Sequence, residues 1–79
     1  MWVNILKSLV ERDGFYVGLT DDPERRLVQH NAGMTFSTKE ARPWKIFAKF
    51  WFENKHTAER FERYLKSGSG RAFSLRHFS

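Results

Sequence analysis

The stretch "FYVGLTDDPERRLVQHNAG" (residues 15–33) decides how this chain is read. Its first part, Phe15 to Thr20, is rich in residues that favour extended backbone and reads as a strand. Gly18 inside it suggests a close approach by another backbone or by a ligand. Its second part carries strong helix punctuation. Asp22 can accept hydrogen bonds from the first free amides as an N-cap. Pro23 sits at the first helical position, where its missing N–H costs nothing. Gly33 lies just past the expected end. Upstream, "WVNILKSLV" (2–10) is rich in Val, Ile and Leu and reads as another strand. The intervening "ERDG" is a turn in which Gly14 can take a positive φ. The two strands therefore form an antiparallel hairpin feeding a helix.

Downstream, "MTFSTKEARP" (34–43) is polar and ends in proline, so it reads as a loop. "WKIFAKFWF" (44–52) alternates. Trp44, Ile46, Ala48, Phe50 and Phe52 fall on one face, Lys45, Phe47, Lys49 and Trp51 on the other, which predicts a third strand with one wholly apolar face. "NKHTAERFERYLKSG" (54–68) reads as a second helix, with Asn54 as its cap and Gly68 just past its end. The tail has room for one short C-terminal helix. The order β-β-α-β-α predicts an α+β fold, a three-stranded antiparallel sheet flanked by helices.

With 79 residues, the chain makes one domain spanning 1–79. A domain this small buries only about 60% of the surface its unfolded chain exposes. Aromatic residues, 16% of the chain, make that burial efficient. There is no cysteine, which excludes disulfides and cysteine-based zinc sites and suits a cytoplasmic setting. No apolar run reaches the ~20 residues of a membrane span, and the N-terminus lacks the pattern of a signal peptide. The net charge of +5 favours an anionic partner such as nucleic acid.

Two polar placements stand out. On the second helix, Ala58, Phe61 and Leu65 mark an apolar face whose remaining member, by periodicity, is Glu62. Either Glu62 reaches water or Lys66 at the edge of that stripe, or it serves as a metal ligand or acid/base in a cleft. On the first helix, Arg26 and His30 lie one turn apart on one flank. They are either an ordinary solvated face or a phosphate grip near the hairpin tyrosine, Tyr16. Taken together, the acid, cation, imidazole and phenol make a workable set for phosphodiester cleavage with a divalent ion.

These residues resemble a known family. The hairpin, "YVG" at 16–18, the "ERRLVQHN" helix, "RPW" before the third strand and the "LKSGSGR" tail look like a small stand-alone GIY-YIG nuclease domain, of the kind found in excision-repair nucleases and homing endonucleases. The resemblance runs from about Trp2 to Phe73 and implies the same sheet-and-helix fold. It implies that Tyr16 lies at the scissile phosphate, that Arg26 stabilises phosphate charge, and that His30 positions or relays a proton. It implies that Glu62 is the acidic ligand of one Mg²⁺ or Mn²⁺. The implied reaction is metal-dependent hydrolysis of DNA, leaving 5′-phosphate and 3′-hydroxyl ends.

Two positions depart from the family pattern. Asn4 stands where the first half-motif ends in a tyrosine that is often the general base. An amide can hydrogen-bond a water but cannot take its proton. Ser74 is the nearest equivalent of an asparagine that many members carry after the metal-binding helix. His30, with an unperturbed pKa near ~6.5, could serve as the base instead. Lys7, Lys45, Lys49, Lys66 and Arg71 are expected phosphate contacts, giving affinity that falls with salt. With no base-reading module, specificity would come from DNA structure or from a protein partner for targeting. The alternative is a nucleic-acid-binding module weakened catalytically by Asn4. A more distant one is a protein-interaction domain using Trp51 or Phe47 in one apolar patch.

Overall fold

A computed structural model describes residues 1–67 of the chain. Two strands, β1 (Trp2–Ser8) and β2 (Phe15–Thr20), precede helix α1 (Pro23–Asn31). A single 3-10 turn (Lys39–Ala41) leads into β3 (Trp44–Trp51), and helix α2 (Lys55–Lys66) follows. The sheet has the order β2-β1-β3, antiparallel throughout. This is the predicted α+β class and the predicted element order. The expected C-terminal helix, Gly68 past the end of α2, Arg71 and Ser74 lie outside the described residues.

β1 is central, so its residues 3–6 are buried on both faces of the sheet. It stops two residues earlier than the sequence suggested. The Ser8 hydroxyl accepts from the amides of Val10 and Glu11, at 3.2 and 2.9 Å, and donates to the Ala41 carbonyl. Those bonds turn the chain before Leu9 and Val10, which stay exposed. Gly14 does not take a positive φ; among the described residues only Gly33 does, at 76°. What the turn requires of Gly14 is room, since a Cβ there would come within 2.8 Å of Ser8 Cβ.

Side chains alternate across a strand, and the two faces of the sheet build two cores. Val3 and Ile5 pack with Ala58 and Leu65 of α2, joined by Phe15, Val17, Leu19, Phe50, Phe52 and Phe61. Leu6 packs with Ala41 and Trp44 on the other face, joined by Tyr16, Leu27 and Ile46. Each fully buried aliphatic side chain contributes about 1.5–3 kcal/mol. The sheet is thus a layer between α1 and α2.

The single apolar face expected of β3 is not what forms. Ile5 pairs with Ala48 but Leu6 pairs with Ile46, a bulge that leaves Phe47 as the extra residue. An extra residue shifts the alternation by one. Trp44 and Ile46 therefore join the α1-side core, while Phe47, Ala48, Phe50 and Phe52 join the α2-side core. The bulge lets one strand serve two cores.

Both helix starts are as the sequence reads. Asp22 Oδ1 accepts from the Arg25 amide at 3.1 Å, with Pro23 in the first turn. Asn54 Oδ1 accepts from the amides of His56 and Thr57, at 2.8 and 3.3 Å. α1 ends at Asn31, and Gly33 follows in the left-handed conformation that favours glycine.

Candidate active site

The α1 side of the sheet gathers the polar residues that the sequence singled out. Strand alternation puts Asn4 on this face of β1 and Tyr16 on this face of β2. In register, Asn4 stands opposite Gly18. The Tyr16 ring folds over Gly18: a Cβ there would lie 2.9 Å from Tyr16 Cε1 and 3.4 Å from its hydroxyl. The close approach that Gly18 permits is therefore by its own strand's tyrosine rather than by a second backbone. From above, α1 lays His30 against that ring, with centroids 4.6 Å apart. Asn4, Tyr16 and His30 thus all lie on the α1 side of the sheet, His30 against the Tyr16 ring and that ring over Gly18, the partner of Asn4.

Two members of this group are buried with polar atoms unspent. Asn4 is 3% exposed, and among the described residues neither its amide oxygen nor its amide nitrogen has a hydrogen-bond partner. His30 is fully buried, and its Nε2 likewise has no partner among the described residues. Buried polar groups are nearly always hydrogen-bonded, so these atoms are open to a water or to a ligand. His30 Nδ1 lies 2.7 Å from Thr38 Oγ1. Burial first, and the Arg26 guanidinium second, hold the imidazole below the ordinary histidine value, so it is neutral at pH 7.

Arg26, one turn before His30 on α1, is half-buried. Its guanidinium donates to Gln29 Oε1 at 3.0 Å. That bond uses one of its five N–H donors and fixes the side chain's direction, leaving the rest for an anion.

Glu62 is placed differently. It lies on the flank of α2, whose apolar residues pack on the opposite face of the sheet from α1. Its side chain is 18% exposed, and its carboxylate pairs with Lys66 at 3.3 Å, the local pairing that the sequence left open. No hydrogen bond or ion pair joins it to Tyr16, Arg26 or His30. β2 is the edge strand that packs against α2 on one face and carries Tyr16 on the other.

As a metal ligand, Glu62 fits one arrangement only. The described residues hold no group of three or more His, Cys, Asp or Glu side chains able to cage an ion. A hard divalent cation such as Mg²⁺ is commonly held by one or two carboxylates, with waters and substrate phosphate completing its shell. One half-buried carboxylate with a displaceable lysine meets that requirement.

The basic residues expected to touch phosphate do not form one patch. Lys7 Nζ donates to the carbonyls of Arg12 and Glu11 at 2.7 and 3.3 Å and lies over the Phe15 ring, stapling its own hairpin. Lys45 stands across from it in register. Lys49 is on the α1 side, paired with Glu24 at 3.0 Å and 5.2 Å from the centroid of the Trp2 ring. Lys66 is held by Glu62. Nor do Trp51 and Phe47 share an apolar patch. Trp51 packs beside Trp2, and Phe47 packs edge-on to Phe15 in the α2-side core.

Sequence reasoning missed three residues that hold the site. Thr38 bonds His30 and is itself anchored by Trp44 Nε1, which donates to its carbonyl at 2.8 Å. Asn31 ties the end of α1 to β3: its Oδ1 accepts from the Trp44 amide at 2.6 Å and its Nδ2 donates to the Trp44 carbonyl at 3.0 Å. Gln29 orients Arg26. Nothing in their spacing marked them: Gln29 and Asn31 read as ordinary polar helix positions and Thr38 as a polar loop residue.

The profile of the GIY-YIG catalytic domain matches residues 1–75 of the chain. Among curated proteins, the structure-specific endonuclease subunit SLX1 of Debaryomyces hansenii is 37% identical over 71 residues, covering 81% of this chain and 20% of that protein. The protein of the same name from Scheffersomyces stipitis is 42% identical over 67 residues, covering 76% and 20%. That from Schizosaccharomyces pombe is 47% identical over 51 residues, covering 60% and 19%. The chain thus spans about a fifth of the length of the curated relatives it matches. No solved structure matches it.

Proposed function

This chain belongs to the GIY-YIG catalytic domain family, and from that premise we propose that it is a DNA endonuclease domain whose phosphodiester chemistry is carried out on the α1 face of the sheet. The observation that carries the reading is the α1-side group of Asn4, Tyr16 and His30, in which the Asn4 amide and His30 Nε2 are buried without a hydrogen-bond partner among the described residues, with the directed Arg26 beside His30. A core built only for stability gains nothing from polar side chains that its own residues leave unbonded.

Arg26 binds the scissile phosphate and neutralises the charge that develops on it, where fixed donors act most strongly. Tyr16 presents its hydroxyl to the same phosphate. His30, neutral at pH 7, takes the proton of the attacking water at Nε2. Asn4 orients that water through its amide but does not deprotonate it. Nucleases of this family generally depend on a divalent metal. Glu62 would hold the ion here, Mg²⁺ or Mn²⁺, with Lys66 released when it binds. Once bound, the ion supplies charge neutralisation at the phosphate and the leaving oxygen.

The relatives are named as structure-specific endonuclease subunits. We carry both terms over as proposals. The preferred substrate is branched DNA, and a protein partner supplies part of the targeting. A DNA-repair role follows from the same likeness.

Single-turnover cutting of a branched duplex and of a linear duplex of equal length tests the proposal. Wild type should cut the branched DNA faster. Arg26→Ala and His30→Ala should each lower the rate by roughly 10²- to 10³-fold. Undiminished cutting by both variants would remove the α1 face from the chemistry. Salt-sensitive binding without cutting by wild type would favour the second reading, a binding module disarmed by Asn4.

A further inference from the structure

The His30–Thr38 bond carries more than stability. Thr38 is 2% exposed and lies in the loop that returns from α1 to β3. Its Oγ1 is 2.7 Å from His30 Nδ1 and also reaches the Thr35 carbonyl at 3.4 Å. A threonine hydroxyl has one proton to give. A carbonyl can only accept, so a hydroxyl that donates to Thr35 must accept from His30, and the imidazole proton then sits on Nδ1. In the opposite arrangement, Thr38 donates to Nδ1, the Thr35 bond is forfeited, and His30 carries an N–H at Nε2. That arrangement also turns an N–H rather than a lone pair toward the Asn4 and Tyr16 side, where a base is needed. Only the first arrangement keeps both contacts of the hydroxyl, so it is the stable one.

We propose that Thr38 is a positioning residue that keeps the His30 proton on Nδ1, leaving Nε2 as a bare lone pair for the attacking water. This rests on His30 being the base of the proposed nuclease. The second ring nitrogen of a working histidine is commonly set in this way by its hydrogen bond. The threonine is itself held: its carbonyl accepts from Trp44 Nε1 at 2.8 Å, and its amide donates to the Thr35 carbonyl at 3.2 Å. Trp44 is buried in the α1-side core and gripped by Asn31. The tautomer is therefore tied to the packing of β3 against α1, without any residue touching substrate.

The test reads the tautomer directly. Long-range ¹H–¹⁵N correlation on the ¹⁵N-histidine-labelled chain assigns which His30 nitrogen is protonated, with no DNA present. Wild type and Thr38→Ser should both show the proton on Nδ1. Thr38→Val, nearly equal in size but without a hydroxyl, should shift His30 toward the Nε2–H form. In cutting assays Thr38→Val should lower kcat by roughly tenfold or more, with KM for DNA little changed, and Thr38→Ser should restore it. An Nε2–H tautomer in wild type, or an unchanged tautomer in Thr38→Val, overturns the proposal. A Thr38-dependent Nδ1–H tautomer in a chain that cuts no DNA supports the positioning role and counts against the nuclease reading alone.

Discussion

Burial of the His30 imidazole beside the Arg26 guanidinium has a consequence for stability as well as for chemistry. The folded chain holds this group below its ordinary value, while the unfolded chain binds a proton near ~6.5. A depressed folded value means that the unfolded state takes up protons first as pH falls. The stability associated with neutral His30 is therefore complete above about pH 6.5 and is lost as pH drops through the lower folded value. The groups that face the ring are Arg26 on α1, Tyr16 on β2 and Thr38 in the loop, and none of them supplies a carboxylate to hold an imidazolium. Thermal unfolding followed between pH 7.5 and 5.5 should show a falling midpoint in wild type and a flatter profile in His30→Gln. Equal slopes would mean that another group carries the dependence. Much of this scale was legible in the sequence: Tyr16, Arg26 and His30 could be named from type and spacing. Thr38 could not, because it lies eight positions after His30, beyond the end of α1, and only the folded return path brings them together.

Among the elements, α1 was the most legible and β3 the least. Asp22, Pro23 and Gly33 each have a local physical reason to be where they are, and local reasons survive folding. Asp22→Ala removes the bond to the Arg25 amide and should cost about 1 kcal/mol. For a domain of this size that is a fall of roughly 4–8 °C in Tm. Because α1 carries both Arg26 and His30, the variant should also lose some cutting activity at temperatures where fraying begins. A Tm unchanged within error would show that Pro23 and packing alone hold the helix start. β3 misled because a pattern of alternating residues contains no mark for an insertion. The bulge at Phe47 is set by what β1 presents, Ile5 to one core and Leu6 to the other, and only pairing reveals it. The same bulge turns Lys49 and Trp51 toward the α1 side while keeping Phe50 and Phe52 with α2.

At the scale of the whole molecule, a 79-residue chain places two small cores on either side of one sheet. The α1 side holds the imidazole, phenol, guanidinium and amide; the α2 side holds the apolar mass and, on its flank, Glu62. Net positive charge was legible from composition, but its local partners were not: Lys7 is held by its own hairpin turn, Lys49 by Glu24 and Lys66 by Glu62. Joining Glu62 to the chemistry of the opposite face is the central claim of the proposed function. A plasmid-nicking assay in Mg²⁺ and in Mn²⁺ tests it most directly, comparing wild type, Glu62→Ala and wild type with a chelator. Nicking by wild type that disappears with both the substitution and the chelator is the expected result. Nicking that persists in Glu62→Ala at the wild-type rate would contradict it.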